Sequence, residues 1–183
     1  MAANIIPIHQ EDILIEKLKE GDRYAQKIIY DQYAGKMLSI CKYYISDLHY
    51  AEDVMIKGFF KAFTNIESFQ GKSCFYTWLR RLMSNECIDF LRSKNQKLNF
   101  AAWDDNYEHA ILDDTDPYEL NFLEKLIDNL PDGCRVVFNL YVVEEMKHKD
   151  IAEKLNISIG TSKSQLSYAK KHLQQALKLH TNG

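Results

Sequence analysis

Thr161, Lys163, Ser164, Gln165, Tyr168 and Lys171 gather hydroxyl, amide and ammonium groups into one short stretch, and no Asp or Glu occurs between residues 154 and 183. Groups of these types neutralise phosphates and hydrogen-bond base edges in the major groove, so the chemistry expected of them is recognition of duplex DNA. Reaction chemistry has no comparable signature. The six histidines, at 9, 49, 109, 148, 172 and 180, form no HExxH and no paired metal-ligand spacing. There is no phosphate-cradling glycine loop and no nucleophile elbow. Glu52 and Asp53 are adjacent, which turns their side chains about 100° apart on a helix and spoils them as an acid/base pair. No metal, no cofactor and no covalent catalysis are expected, and enzymes are the weakest class.

The candidate DNA-reading residues must be held by the segment DIAEKLNISIGTSKSQLSYAKKHL, residues 150–173, which reads as a helix-turn-helix. Ile151, Ala152 and Leu155 give the first helix its apolar side. Asn156 stands where the chain must leave that helix, a residue type that tolerates left-handed backbone. Ile157 plugs the turn, and the Ser158 hydroxyl is placed to cap the next helix. Leu166, Ala169, Leu173, Ala176 and Leu177 then keep a 3.6-residue rhythm toward a core. Thr161, Ser164, Tyr168, Lys171 and Gln175 occupy the opposite side, with Lys163 and Gln165 flanking it near the end that would enter the groove. The competing account is a charged, solvated face in an ordinary helical hairpin.

Two further helical faces call for explanation. Behind Asp47 as a cap, Ala51, Val54, Met55, Gly58, Phe59, Ala62 and Phe63 form a core stripe. Opposite them Asp53, Ile56, Lys57 and Phe60 make a second stripe, with large apolar residues where solvent is expected. It is either a partner-binding face or a face covered by another helix of the same domain. In residues 75–96, Phe75, Leu79, Leu82, Met83 and Phe90 point to a core, while Arg81, Asn85, Ile88 and Arg92 form a ridge with Trp78 beside it. Cations with an aromatic neighbour suit nucleic acid, because Arg pairs with phosphate and Trp can stack on an unpaired base. The loop TNIESFQGKSC, residues 64–74, could hold an extruded base or be a plain turn. Glu86 falls in register with the core side of its helix, an acid where an apolar residue is expected.

With 183 residues, three prolines, seven glycines and no strand-period alternation, the chain is expected to be all-α. The patterns predict helices near 11–20, 22–44, 47–63, 75–95, 117–129, 132–144, 147–155 and 160–179. Between them, residues 97–116 read as a linker, because the piece NFAAWDDNYEHAILDDTDP has no helical stripe and ends in Asp116-Pro117. Its Phe100, Trp103, Tyr107, Ile111 and Leu112 suggest a tether that docks on its own domains or on a partner. A net charge of -3 excludes a generally basic nucleic-acid coat protein. The charge is uneven: residues 104–128 carry nine acids against Lys125 alone. Cys41, Cys74, Cys87 and Cys134 form no CxxC pair and read as buried small hydrophobes. MAANIIPIHQED lacks the features of a signal peptide, and no run approaches the ~18 apolar residues of a membrane span. A cytoplasmic, soluble protein without stable membrane insertion is expected.

Taken together these segments resemble bacterial sigma-70 family RNA polymerase sigma factors of the extracytoplasmic-function (ECF) group over nearly the whole chain. HYAEDVMIKGFFKAF, residues 49–63, is similar to that family's DAEDVLQEVFLKVW helix, which binds the largest polymerase subunit. FYTWLRRLMSNECIDFLRSK, residues 75–94, resembles its F-x-TWL-x-RIARN-x-x-IDFLRK helix, which helps melt and read the minus-ten element. Residues 130–166 resemble LPxxxRxVFxLxxxEGxSxxEIAxxLGISxGTVKSRL, from the domain that reads the minus-thirty-five element.

The resemblance implies sigma region 2 over 1–96, an acidic linker over 97–116 and sigma region 4 over 117–183. It implies that Asp53, Ile56, Lys57 and Phe60 meet core polymerase and that Trp78, Arg81, Asn85 and Arg92 lie along the minus-ten DNA. Arg135, Thr161, Lys163, Ser164, Gln165, Tyr168 and Lys171 would sit at or near the minus-thirty-five duplex. The implied partners are core RNA polymerase, promoter DNA and an anti-sigma factor. The chain departs from the family pattern at Ile56-Lys57, where Gln-Glu is usual, at Gly58, at Ser84 and Gln165 in place of Arg, and at Tyr168 where Arg is frequent. The main alternative is a stand-alone transcription regulator, with residues 117–180 on DNA and residues 1–96 sensing or dimerising.

Overall fold

The computed structural model describes residues 8–94 and 122–181, and these contain helices and no strands. The chain divides into two compact units after Phe90, in the last turns of the fourth helix. The predicted linker, with its aromatic residues, lies outside the described residues, as does the start of the helix predicted from residue 117.

In the first unit, α1 (Ile8–Lys19) stops where Gly21 takes a φ of +78°. The Gly21 amide donates to Leu18 O at 3.0 Å and that of Asp22 to Lys17 O at 3.0 Å, a Schellman closure that needs left-handed backbone. Asp22 then caps α2 (Arg23–Tyr44) by accepting from the amides of Tyr24 and Ala25. Ala25, Ile29, Tyr33, Met37, Ile40, Cys41 and Tyr44 bury one stripe of α2, largely against α3 (Leu48–Thr64). Asp47 caps α3 as predicted, accepting from Tyr50 N at 3.1 Å. After a 3₁₀ turn at Ile66–Ser68, α4 (Phe75–Lys94) packs on α3. Gly58 sits at that crossing. A Cβ there would fall 2.3 Å from Met83 Sδ, so the glycine that weakens α3 as a helix also lets α4 approach.

In the second unit, α5 (Phe122–Asp128), α6 (Asp132–Val142) and α7 (His148–Leu155) pack around the long α8 (Ile159–Thr181). Leu126, Leu130, Cys134, Ala169 and Leu173 form a core cluster, with Ile127, Phe138, Tyr168 and Ala176 against it. The α7–α8 turn follows its sequence signals. Asn156 adopts φ 54°, ψ 49°, and the amide of Ile157 reaches Ala152 O at 3.0 Å. The Ser158 hydroxyl accepts from Thr161 N at 2.9 Å.

Candidate polymerase and nucleic-acid interfaces

The second stripe of α3 is open. Asp53, Ile56, Lys57 and Phe60 are all exposed, Ile56 by 55% and Phe60 by 69%. Lys61 and Thr64 extend the same face by one turn, and i+4 spacing from Lys57 and Phe60 would have found them. Of the two accounts of this stripe, coverage by another helix of the unit does not hold. The neighbouring α4 contributes to the edge of the face through Glu86. Its side chain is 1% exposed, with Lys61 Nζ against one carboxylate oxygen and Lys57 Nζ 3.5 Å from the other. That hydrogen bond holds the Lys61 ammonium above the usual lysine range. The acid on the core side of α4 is thus a buried carboxylate shared by two lysines that keep their stems in solvent.

Along α4 the structure supports part of the predicted ridge. Arg81 and Asn85 are exposed and Arg92 is half-buried, but Ile88 is buried at 2%. The exposed line continues through Asp89 instead. Ser84, where the family pattern has Arg, is also buried, so it takes no part in that line. Phe90, expected in the core, is half-buried beside Tyr50, the ring centroids 5.4 Å apart.

Trp78 is half-buried in an aromatic knot. Its ring centroid lies 5.5 Å from those of both Phe69 and Phe75, and Phe69 meets Phe75 edge-on at 5.5 Å. This knot anchors the loop before α4, in which Gly71 turns with φ +68°. Cys74 corrects the expectation that all four cysteines are buried, because it is exposed at the start of α4. Hydrogen bonds from Thr77 lower its thiol below the usual range.

In the second unit, Lys163, Ser164, Ser167, Lys170, Lys171, Gln174, Gln175 and Lys178 are exposed on α8 at i, i+3, i+4 spacing. They form one face of a helix that carries no acid. Thr161 and Tyr168 are half-buried at its edges, Tyr168 packing against the core cluster. Ser167 and Lys170 belong to this exposed face although the sequence reading did not place them on it, and they repeat Lys163 and Ser164 one to two turns on.

Two of the residues expected at or near the duplex lie inside the unit. Gln165 is 2% exposed, and its Oε1 accepts from Cys134 Sγ at 2.9 Å inside the unit. Arg135 is 4% exposed, and its guanidinium donates to the carbonyls of Asp128 and Leu130 and to the Asp132 carboxylate. A fork spent on the α5–α6 connection is not presented to a duplex.

Among the described residues no cluster of His, Cys, Asp and Glu could hold a metal, and no helix is long and apolar enough to cross a membrane.

The sequence matches the family model for sigma-70 region 2 over residues 29–97 and that for sigma-70 region 4 over residues 122–173. It is 30% identical over 177 residues to the ECF RNA polymerase sigma factor SigW of Bacillus subtilis, covering 90% of this chain and 95% of that protein. It is 29% identical over 180 residues to the ECF RNA polymerase sigma-E factor of Haemophilus influenzae, covering 91% and 95%. The sigma factor RpoE of Bartonella quintana, solved with the anti-sigma factor NepR, superposes with a TM-score of 0.52 at 22% identity, covering 83% of this chain and 96% of that one, and shares the fold. These lengths of match, on both sides nearly complete, make the chain a member of the ECF group of RNA polymerase sigma factors.

Proposed function

We propose that the three exposed faces divide the work of a sigma factor among them. The chain is a transcription initiation factor and not an enzyme. In this division the α3 stripe of Asp53, Ile56, Lys57 and Phe60 docks on core polymerase. The α4 line with Arg81, Asn85, Arg92 and Trp78 meets minus-ten DNA. The α8 face with Lys163, Ser164 and Lys171 meets the minus-thirty-five duplex, Thr161 and Tyr168 bordering it. Arg135 and Gln165 shape that face from inside. Region 2 spans 1–96, the acidic linker 97–116 and region 4 117–183. The protein works in the cytoplasm, where polymerase and DNA are, and an anti-sigma factor restrains it by covering one of these faces.

The observation that carries this reading is Phe60, a large apolar side chain 69% exposed in the middle of a charged stripe. Ile56, one turn before it, is 55% exposed, and two large apolar side chains next to each other in a charged stripe make a patch that suits a partner surface. Two DNA contacts, each weak alone, become effective when the polymerase fixes their separation and the second contact is intramolecular.

The test is reconstitution with core polymerase on a promoter template. Phe60→Ala should abolish co-elution with core. Lys163→Gln should keep co-elution and weaken the promoter complex. Initiation by neither the wild-type holoenzyme nor any variant on any template would end the proposal.

A further inference from the structure

Beyond the residues of α8 itself, a second element handles its charge. Tyr141, in the last turn of α6, is 37% exposed. Lys170 Nζ sits over its ring, 5.7 Å from the centroid. The ring is held in place by His148 at the start of α7, which stacks on Tyr141 with centroids 4.7 Å apart and planes at 24°. His148 in turn pairs through Nδ1 with the Ser162 hydroxyl at 2.9 Å, and Ser162 is fully buried on α8. The connections therefore close on themselves: α8 through Ser162 to His148, to Tyr141, and back to α8 through Lys170.

A lysine is a hydrated point charge on a flexible stem, and holding it costs side-chain entropy. An aromatic face under the ammonium reduces that freedom while leaving the N–H groups turned outward. Lys170 lies seven residues after Lys163 on the same exposed face, about 10 Å farther along the helix axis. We infer that Lys170, held over Tyr141, is a backbone-phosphate contact for the upstream duplex, with Tyr141 as its positioning residue. This rests on the reading that the α8 face meets DNA. It adds a site built from two helices, one of them outside the reading helix.

The geometry separates three kinds of residue. Lys163 and Ser164 stand near the N-terminal end of α8, where base edges are reached. Lys170 stands two turns later, where a helix leaving the groove passes the sugar-phosphate strand, and its contact carries no sequence information. Tyr141 touches no DNA in this account and acts only through the ammonium. Its phenol oxygen plays no part, so Tyr141→Phe keeps the function and Tyr141→Leu loses it.

The experiment measures promoter affinity of holoenzyme, reconstituted with core polymerase, across a series of salt concentrations. Lys170→Gln should lower affinity several-fold and flatten the log–log salt slope by about 0.9, the release expected for one phosphate contact. Tyr141→Leu should move both in the same direction, Tyr141→Phe neither. The double variant Lys170→Gln/Tyr141→Leu should be no worse than Lys170→Gln alone. A wild-type slope in Tyr141→Leu, or additive effects in the double variant, overturns the positioning role, since loss of packing alone would not change the number of phosphates neutralised. A wild-type slope in Lys170→Gln overturns the phosphate contact even where Lys163→Gln and Ser164→Ala weaken binding. If those two also leave binding unchanged, α8 is not the DNA face and the underlying reading fails with the inference. Lys170 is exposed, so its substitution should cost no more than about 1 kcal/mol of stability, the worth of the lost ring contact, and a small loss of stability does not change a salt slope.

Discussion

Lys61 on α3 donates to the buried carboxylate of Glu86 on α4, a pair separated by 25 positions in the chain. Lys57 shares that carboxylate from 3.5 Å, so the residue that reverses the family's usual charge has a partner inside its own unit. The pattern DAEDVLQEVFLKVW has Glu at that position, and here the lysine that replaces it meets an acid on the neighbouring helix. The exposed stripe of α3 and the helix α4 are thereby joined by charge as well as by apolar packing.

Glu86→Ala is expected to destabilise the protein by about 1–3 kcal/mol, less than a fully buried pair because both lysine stems reach solvent and are screened. Lys61→Ala should cost less than that, since Lys57 stands close enough to take its place. Removing both lysines leaves the carboxylate uncompensated, and urea unfolding should then show a loss exceeding the sum of the single losses by about 0.5 kcal/mol or more. Strict additivity would mean that the carboxylate is not shared. Folding raises the Lys61 pKa, so its contribution is complete below the unfolded value of about 10.4 and fades as pH rises beyond it.

Glu145 offers a gain in stability. It follows α6 with a φ of +54°, a conformation that costs an ordinary residue about 1 kcal/mol, and the family pattern has Gly there. Glu145→Gly should raise stability by about 0.5–1 kcal/mol in thermal melting, the relief of strain outweighing the added freedom of the unfolded chain. Asn156 shares the same φ but is a residue type that tolerates it, so Asn156→Gly should change stability by only a few tenths. Equal responses at both sites would remove the argument from side-chain type.

The helices and their ends were legible because their signals are local. Asp47, Ser158 and Asn156 each do what their position in the sequence predicts, since a cap needs only its next few amides. The α3 stripe was legible for the same reason, as periodicity alone fixes which residues share a face. What periodicity omits is which face another helix covers. Ile88 and Asp89 are adjacent on α4, yet one is buried and the other exposed, and the choice is made by packing from elsewhere in the chain. Polar residues in the interior were the least legible. Glu86 is explained by residues 25 and 29 positions away and Gln165 by one 31 positions away, and no local rule pairs them. Arg135 is expected at or near the duplex by resemblance alone, and its position does not announce the α5–α6 carbonyls that hold its guanidinium.

Cys134 gives the second unit a defined alkaline limit. Burial pushes its thiol up to about 12, so the native state keeps a proton that the unfolded chain loses near pH 9. The unfolded state then binds fewer protons, and stability falls as pH rises through that interval, by up to about 1.4 kcal/mol per pH unit for one group. Below pH 9 the thiol contributes no pH dependence. Cys134→Ser keeps a donor for Gln165 and does not titrate in this range. Its melting temperature should therefore decline less steeply than that of the wild type between pH 9 and 12, and parallel declines would assign the alkaline loss to other groups.

Arg135 and Lys163 should separate structure from recognition in the second unit, although both are cations aligned with the family's region 4. Arg135→Lys keeps the charge but loses the fork that holds two carbonyls and the Asp132 carboxylate. It should lower stability by about 2–4 kcal/mol, because a buried ammonium reaches fewer of those acceptors and leaves the rest unsatisfied. Where it is still folded, its salt slope on promoter DNA should match the wild type. Lys163→Gln should do the reverse, holding stability within about 0.5 kcal/mol while weakening promoter binding and narrowing its margin over non-promoter DNA. An Arg135→Lys protein that melts normally yet binds with a flattened slope would return Arg135 to the DNA interface and place its guanidinium outside the α5–α6 connection in solution.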